Sequence, residues 1–165
     1  MDQFQNLIHE ISHLKAGGKF HFSGTLYTLR DQTMAKIKKD GFPDFLKNQI
    51  IYFCGPSGPL PDGRLGSCGP TTSKRFDPCH QLFMENSIRI TIGKGRRTAA
   101  VESDCRAGKH FYFVTYGGLG AYLSSMIQSW RIAAYPELGT EAIFELQVAD
   151  FPMILAYDGN GGSAF

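Results

Sequence analysis

Long apolar runs are missing from this sequence. Its most hydrophobic stretches, IIYFC and FPMILAY, fall far short of the roughly 20 residues that a membrane-spanning helix needs. The N-terminal MDQFQNLIHEISHLK has neither the basic start nor the apolar core of a secretory signal, so the expected compartment is the cytoplasm, with no membrane partner. Excess charge of one sign is missing too. Seventeen Lys and Arg stand against fifteen Asp and Glu, which excludes the broad basic footprint of a nucleic-acid binder and makes any anion binding local. Cysteine is sparse: Cys54, Cys68, Cys79 and Cys105 are irregularly spaced with no C-x-x-C. That excludes a zinc knuckle and a disulfide framework, leaves no local motif for an iron–sulfur cluster, and predicts free, buried thiols. No repeat, low-complexity segment or linker divides the 165 residues. One domain over 1–165 is expected, long enough to bury roughly two-thirds of its unfolded surface without staples.

What is present concentrates between Gly66 and Arg97, GSCGPTTSKRFDPCHQLFMENSIRITIGKGRR. Glycine and proline fix a turn, the hydroxyls Thr71 and Thr72 follow, then the cations Lys74 and Arg75, and a short apolar strand runs into Gly93-Lys94-Gly95. Hydroxyls and cations held between glycines at the ends of regular elements are a way to grip a small anion with backbone N–H groups and fixed charge.

Periodicity supplies the frame. Phe4, Leu7, Ile8, Ile11 and Leu14 predict an amphipathic helix over residues 2–15, closed by Gly17-Gly18. Alternation predicts a strand from Lys19 to Thr28, then a helix capped by Asp31 and stopped at Gly41. Arg30 then projects from a strand-to-helix junction, beside the positive end of a helix dipole, where a cation is unfavourable unless an anion joins it. Strands follow at Ile50–Cys54, Ile88–Ile92 and Phe111–Thr115, with helices after Thr72 and over Thr98–Arg106. Tyr122, Met126 and Ile127 fit a helix core, Trp130–Tyr135 a strand, and Ile143–Val148 and Met153–Tyr157 two further strands around Pro152. The glycine-rich tail after Asp158 is expected to fray. Strands and helices that alternate and then end in paired strands predict an α/β fold with a mixed sheet and flanking helices.

Two short matches are weak. His9-Glu10-Ile11-Ser12-His13 satisfies H-E-x-x-H, the spacing with which a zinc hydrolase holds its metal. Only eight residues precede it, and Ala16 and Lys19 stand where the extended pattern wants glycine and histidine, so a solvated polar helix face is the preferred reading. Tyr116-Gly117-Gly118-Leu119-Gly120-Ala121 approaches a dinucleotide fingerprint, but Leu123 occupies the third glycine's place. A tight turn with close packing is expected there.

Four segments in order, Ser23–Asp31, Gly69–Asp77, Ile92–Gly95 and Glu137–Ala142, resemble the class I fumarase and L-tartrate dehydratase family, in its beta subunit or C-terminal domain. The resemblance implies a swivelling β/β/α domain with mixed sheet and flanking helices. It implies a hydro-lyase that reversibly dehydrates a 2-hydroxydicarboxylate, malate to fumarate or tartrate to oxaloacetate. It also implies a partner alpha subunit whose cysteines hold a 4Fe-4S cluster, in a hetero-oligomer of two alpha and two beta chains, with no metal on this chain. On this correspondence Arg30, Arg75 and Lys94 bind substrate and Thr71 is the catalytic base. Guanidinium forks suit carboxylates, whereas a threonine hydroxyl acts as a base only where cations favour its deprotonated form and water is excluded. The sequence departs from the family pattern at Met34, where a histidine is usual, at Thr33, where alanine is, and at Phe76, where methionine is. The Met34 change leaves open a second reading, a non-catalytic dicarboxylate-binding or regulatory module.

Overall fold

The computed structural model describes residues 3–165; residue 2 of the predicted first helix lies outside them. Helix α1 runs over Gln3–Ser12, burying Ile8 and Ile11 and leaving His9 and His13 exposed. Strand β1, Lys19–Thr28, leads into helix α2, Asp31–Asp40. Strand β2 is Ile50–Tyr52. A long loop and a 3-10 helix, Ser73–Cys79, precede helix α3, His80–Glu85. Strand β3, Ile90–Gly93, helix α4, Ala99–Arg106, and strand β4, Phe111–Val114, follow. The chain ends with helix α5, Gly120–Ser125, strand β5, Ile127–Ala134, and strand β6, Ile143–Leu155.

Six strands form one mixed sheet in the order β1-β2-β3-β4-β6-β5, and β6 also pairs with β1. Strands β1 to β4 are mutually parallel, while β6 runs antiparallel to β1, β4 and β5. The pairings β1-β2-β3-β4-β6-β1 therefore close into a ring, with β5 added outside it. Alternation along the strands sorts the core. Ile50, Tyr52 and Cys54 join one apolar cluster with Phe22, Leu26, Phe113 and Leu146. Ile51 and Phe53 point the other way, into a second cluster with Met34 and Ile37 of α2 and Phe83 of α3. A third, around Val101, Cys105, Tyr112 and Tyr157, holds α4. Each parallel connection thus lays its helices on the outer face of the sheet, as parallel pairing requires.

Four local expectations are corrected. The two strands predicted around Pro152 are one, β6, which runs through Pro152 opposite His21; the ladder absorbs a bulge where the register shifts between Phe22 and Gly24 and Asp150 takes a positive φ of 53°. The tail is tied rather than frayed. The Asp158 carboxylate accepts N–H bonds from Ala16 at 2.8 Å, Asn160 at 2.9 Å and Gly162 at 2.8 Å, and these, the bond from Ala16 foremost, lower its pKa. Tyr122 is exposed, and its neighbour Leu123 takes the buried place. The segment after Thr72 is a 3-10 helix that passes into α3 at Cys79–His80 rather than one continuous helix, with Pro78 inside the 3-10 part; proline cannot sit in an α-helical interior without losing a hydrogen bond and meeting the preceding turn.

Gly120 shows the close packing expected of the glycine-rich turn. A Cβ there would meet Gly69 N at 2.8 Å, and Cys68 N–H donates to the Gly120 carbonyl at 3.0 Å. The loop before Thr71 is thereby pressed against α5.

Candidate functional site

Parallel strands bring their carboxyl ends to one side of a sheet, and the loops that leave those ends are where such sheets bind ligands. Arg30 follows β1 and Lys94 follows β3. Thr71 comes from the loop after β2, brought back to the strand end by the Cys54–Pro70 bridge and by its own N–H bond to the Phe53 carbonyl at 2.8 Å. Thr72 pairs with Lys94, and Ser73 donates its N–H to the Lys94 carbonyl at 3.1 Å while its hydroxyl accepts the Lys94 N–H at 3.1 Å. Arg75 lies on the 3-10 helix that begins there. The structure brings all four singled-out residues to the same end of the sheet.

Their contacts form a chain. Arg75 Nη2 donates to Thr71 Oγ1 at 2.6 Å and lies 3.1 Å from Asp31 Oδ2. Asp31 Oδ2 is also 3.8 Å from Arg30 Nε, and Glu141 Oε1 is 3.8 Å from Arg30 Nη2. Both carboxylates stand beyond hydrogen-bond reach of Arg30. Arg30 Nε is buried and has no acceptor, a costly condition for a charged donor. Arg75 is exposed and Thr71 half-buried, so the Arg75–Thr71 pair faces solvent. Lys94 is exposed, its stem passing within 3.5 Å of where a Cβ on Gly117 would stand. An N–H donated by a cation to a hydroxyl oxygen favours the deprotonated form of that hydroxyl; the arrangement can therefore ready Thr71 Oγ1 to accept a proton while the cations hold carboxylates.

Neither Thr71 nor Thr72 makes a side-chain cap on the 3-10 helix. The predicted Asp31 cap is corrected likewise. Arg30 holds the N-cap position of α2, Asp31 is its first residue, and no side chain of this turn caps it. Met34 is buried among the apolar residues under α2, so this position presents no polar group to the site. Phe76 stacks on Phe53 with centroids 4.4 Å apart, an apolar seat for its ring.

Behind the open end lies a buried polar network that the sequence reading did not anticipate. Asp77, two residues along the same 3-10 helix from Arg75, accepts from Arg97 Nε at 2.5 Å and from the Thr98 N–H at 2.6 Å. Arg97 Nη1 donates to Thr91 Oγ1 at 3.3 Å, and Thr91 Oγ1 bonds His110 Nε2 at 2.8 Å. The Arg97 guanidinium carbon sits 4.7 Å from the ring centre of Tyr112 and 5.6 Å from that of Phe53. His80 Nε2 meets Asp104 Oδ2 at 3.0 Å. Asp77 was visible as part of GPTTSKRFD; its partner was not, because Arg97 reads as one more loop cation. Ser73 and Asp77 together fasten the helix carrying Arg75 to the loop carrying Lys94.

No group of three or more His, Cys, Asp or Glu among the described residues is arranged to hold a metal ion. The four thiols do not gather at one place. Cys54 and Cys68 share one apolar cluster, Cys79 belongs to a second and Cys105 to a third. The Cys54 thiol is held well above its ordinary pKa, first by its hydrogen bond with Cys68 and then by burial, with Arg30 pulling the other way; it stays protonated at neutral pH and is a poor nucleophile. At the H-E-x-x-H match, His13 Nδ1 lies 2.8 Å from the His9 carbonyl, and both histidines are exposed. No helix among the described residues is long and apolar enough to cross a membrane.

The mixed-sheet α/β domain gathers two guanidinium groups, an ammonium and a hydroxyl at the carboxyl ends of its parallel strands. The chain belongs to the fumarase C-terminus family, whose model matches residues 1–165. It is 33% identical over 169 residues to the aerobic class I fumarate hydratase of Escherichia coli (strain K12), covering 98% of this chain and 31% of that protein. Fumarate hydratase 2 of Leishmania major is 34% identical over 164 residues, covering 94% of this chain and 29% of its own length. The anaerobic class I fumarate hydratase of Escherichia coli (strain K12) is 31% identical over 168 residues, covering 98% and 31%. The chain thus spans less than a third of each of these relatives.

Proposed function

We propose that this chain is the beta-type part of a hydro-lyase that reversibly removes water from a 2-hydroxydicarboxylate, malate or tartrate, and that it moves as a swivelling domain against the part that completes the site. One observation carries the reading: Arg30, Arg75, Lys94 and Thr71 converge at one end of the sheet, with a buried N–H of Arg30 lacking an acceptor. The Arg30 side chain is 26% exposed, and the outer N–H groups of its guanidinium are the ones a ligand carboxylate meets. Arg30 and Arg75 grip carboxylate oxygens, Lys94 adds a point charge, and together they stabilise the negative charge that builds up when the carbon beside a carboxylate loses its proton. Thr71 Oγ1, already bonded by Arg75, takes that proton.

The 4Fe-4S cluster implied by the resemblance does not fit this chain, whose cysteines are dispersed over three separate apolar clusters. We assign it to an alpha subunit, in an assembly of two alpha and two beta chains in the cytoplasm. The buried Met34 supports a second reading, a diacid-binding module without catalysis. Co-expression with a cysteine-bearing alpha partner, followed by anaerobic assay on fumarate, malate and tartrate, separates the two. Hydro-lyase activity is expected, with Arg75→Ala lowering kcat/KM by roughly 10²–10³ at unchanged assembly. A cluster-loaded complex inert on all three diacids that still binds one of them selects the module; one that binds none overturns both.

A further inference from the structure

The Glu137–Ala142 segment contributes no side chain to the proposed anion contacts, yet the fold sets it directly against Arg30. Four observations meet there. Glu141 Oε2 accepts the Gln32 N–H at 2.6 Å, its backbone carbonyl accepts the Thr33 hydroxyl, and its Oε1 faces Arg30 Nη2 at 3.8 Å. The fourth is Gly55 in the loop after β2: a Cβ there would lie 2.7 Å from Arg30 Nη1, 3.3 Å from Arg30 Cγ and 3.1 Å from the Thr140 carbonyl. Arg30 therefore rests on bare backbone, with the 136–141 turn as its wall.

We infer that Glu141 is a positioning residue for Arg30, an inference that rests on the diacid reading of the site. The first turn of α2 has N–H groups that no side chain of its own caps, and a cation stands at the positive end of its dipole. Glu141 answers both with one carboxylate. One oxygen caps the helix; the other faces the guanidinium from beyond hydrogen-bond distance. The guanidinium is thus confined by charge and by the Gly55 floor without its N–H donors being consumed, and Arg30 Nε stays free of any acceptor. A fork held in place with its donors unspent is ready for an incoming carboxylate, since the cost of ordering the side chain has been met before binding. The side chain of Glu141 is only 18% exposed, so this contact is less screened than a surface pair.

The test uses the full chain with ¹⁵N-labelled arginine, Arg30 Nε–H being assigned by its loss in Arg30→Lys. Glu141→Gln keeps an oxygen for the Gln32 N–H and discards the charge. The expected result is a collapse of the ¹H–¹⁵N NOE at Arg30 Nε and about a tenfold weaker Kd for malate, with the melting midpoint within about 2 °C of wild type. Gly55→Ala disturbs the same seat from below and is expected to mobilise Arg30 in the same way, which keeps the test decisive if Glu141→Gln folds poorly. Unchanged order at Arg30 Nε in both variants overturns the assignment. So does a large fall in melting midpoint with Arg30 still ordered, which makes Glu141 a helix cap and nothing more. A wild-type complex with the alpha partner that binds neither malate nor tartrate overturns the diacid reading instead, and the NOE still judges Glu141 by itself.

Discussion

Two ion pairs two residues apart on one 3-10 helix are built to opposite specifications. Arg75 reaches Asp31 at 3.1 Å with side chains 40% and 48% exposed, whereas Asp77 meets Arg97 at 2.5 Å with side chains 4% and 0% exposed. An exposed pair contributes little and exchanges readily for another partner. A buried pair is costly to assemble but far costlier to break by removing one member. The difference separates two tasks: the inner pair settles where the helix sits relative to β3 and Lys94, and the outer pair leaves a guanidinium available to something arriving from solvent.

The comparison breaks most sharply at Asp77. Asp77→Ala leaves Arg97 charged in the interior, and a loss of about 3–5 kcal/mol is expected, seen in thermal or urea melts as a midpoint lowered by roughly 6–20 °C. A midpoint that hardly moves means the inner pair does not secure the helix. The next effect comes from His110 in the same network. It is fully buried, and burial first, then the charge of Arg97 and the neighbouring His80, hold its pKa well below the ordinary histidine value. The unfolded chain takes up a proton near pH 6.5 and the folded chain does not, so stability is complete above that pH and declines as pH falls below it. Between pH 7 and 5.5 the loss is about 1.2 kcal/mol, a midpoint drop of roughly 3–5 °C by calorimetry, and His110→Asn should flatten the slope. A flat wild-type profile would argue that the network already carries that proton. The smallest effect belongs to the outer pair. Asp31→Asn is expected to change stability by less than about 1 kcal/mol, and a loss comparable to that of Asp77→Ala would erase the distinction between the two pairs.

Much of the frame was readable because its signals are local. Alternation alone bounds β1 at Lys19–Thr28, and Gly41, at a φ of 100°, ends α2 where glycine and the following proline predict it. Thr71, Arg75 and Lys94 stood out as a hydroxyl and cations among glycines and Arg30 as a cation at a strand-to-helix junction, but it was the family resemblance that joined the four into one site. What was not readable is who answers them. Glu141 caps Gln32 across 109 residues and Asp77 pairs with Arg97 across 20. Such partners are set by strand order, not by spacing along the chain. Pro152 misled for a related reason: whether the strand runs through it depends on the register with β1, which a single strand's pattern does not encode.

The ring of strand pairings has a consequence during synthesis. Lys19 of β1 pairs with Ile154 of β6, and Phe113 of β4 with Leu155, so on a ribosome the parallel strands emerge well before the strand that joins their two ends. Until then β1 and β4 each present an unpaired edge to the cell, the kind of surface that recruits chaperones or aggregates when closure is slow. Substitutions near the bulge at Asp150 are therefore expected to act on yield from expression more than on the melting of protein already folded.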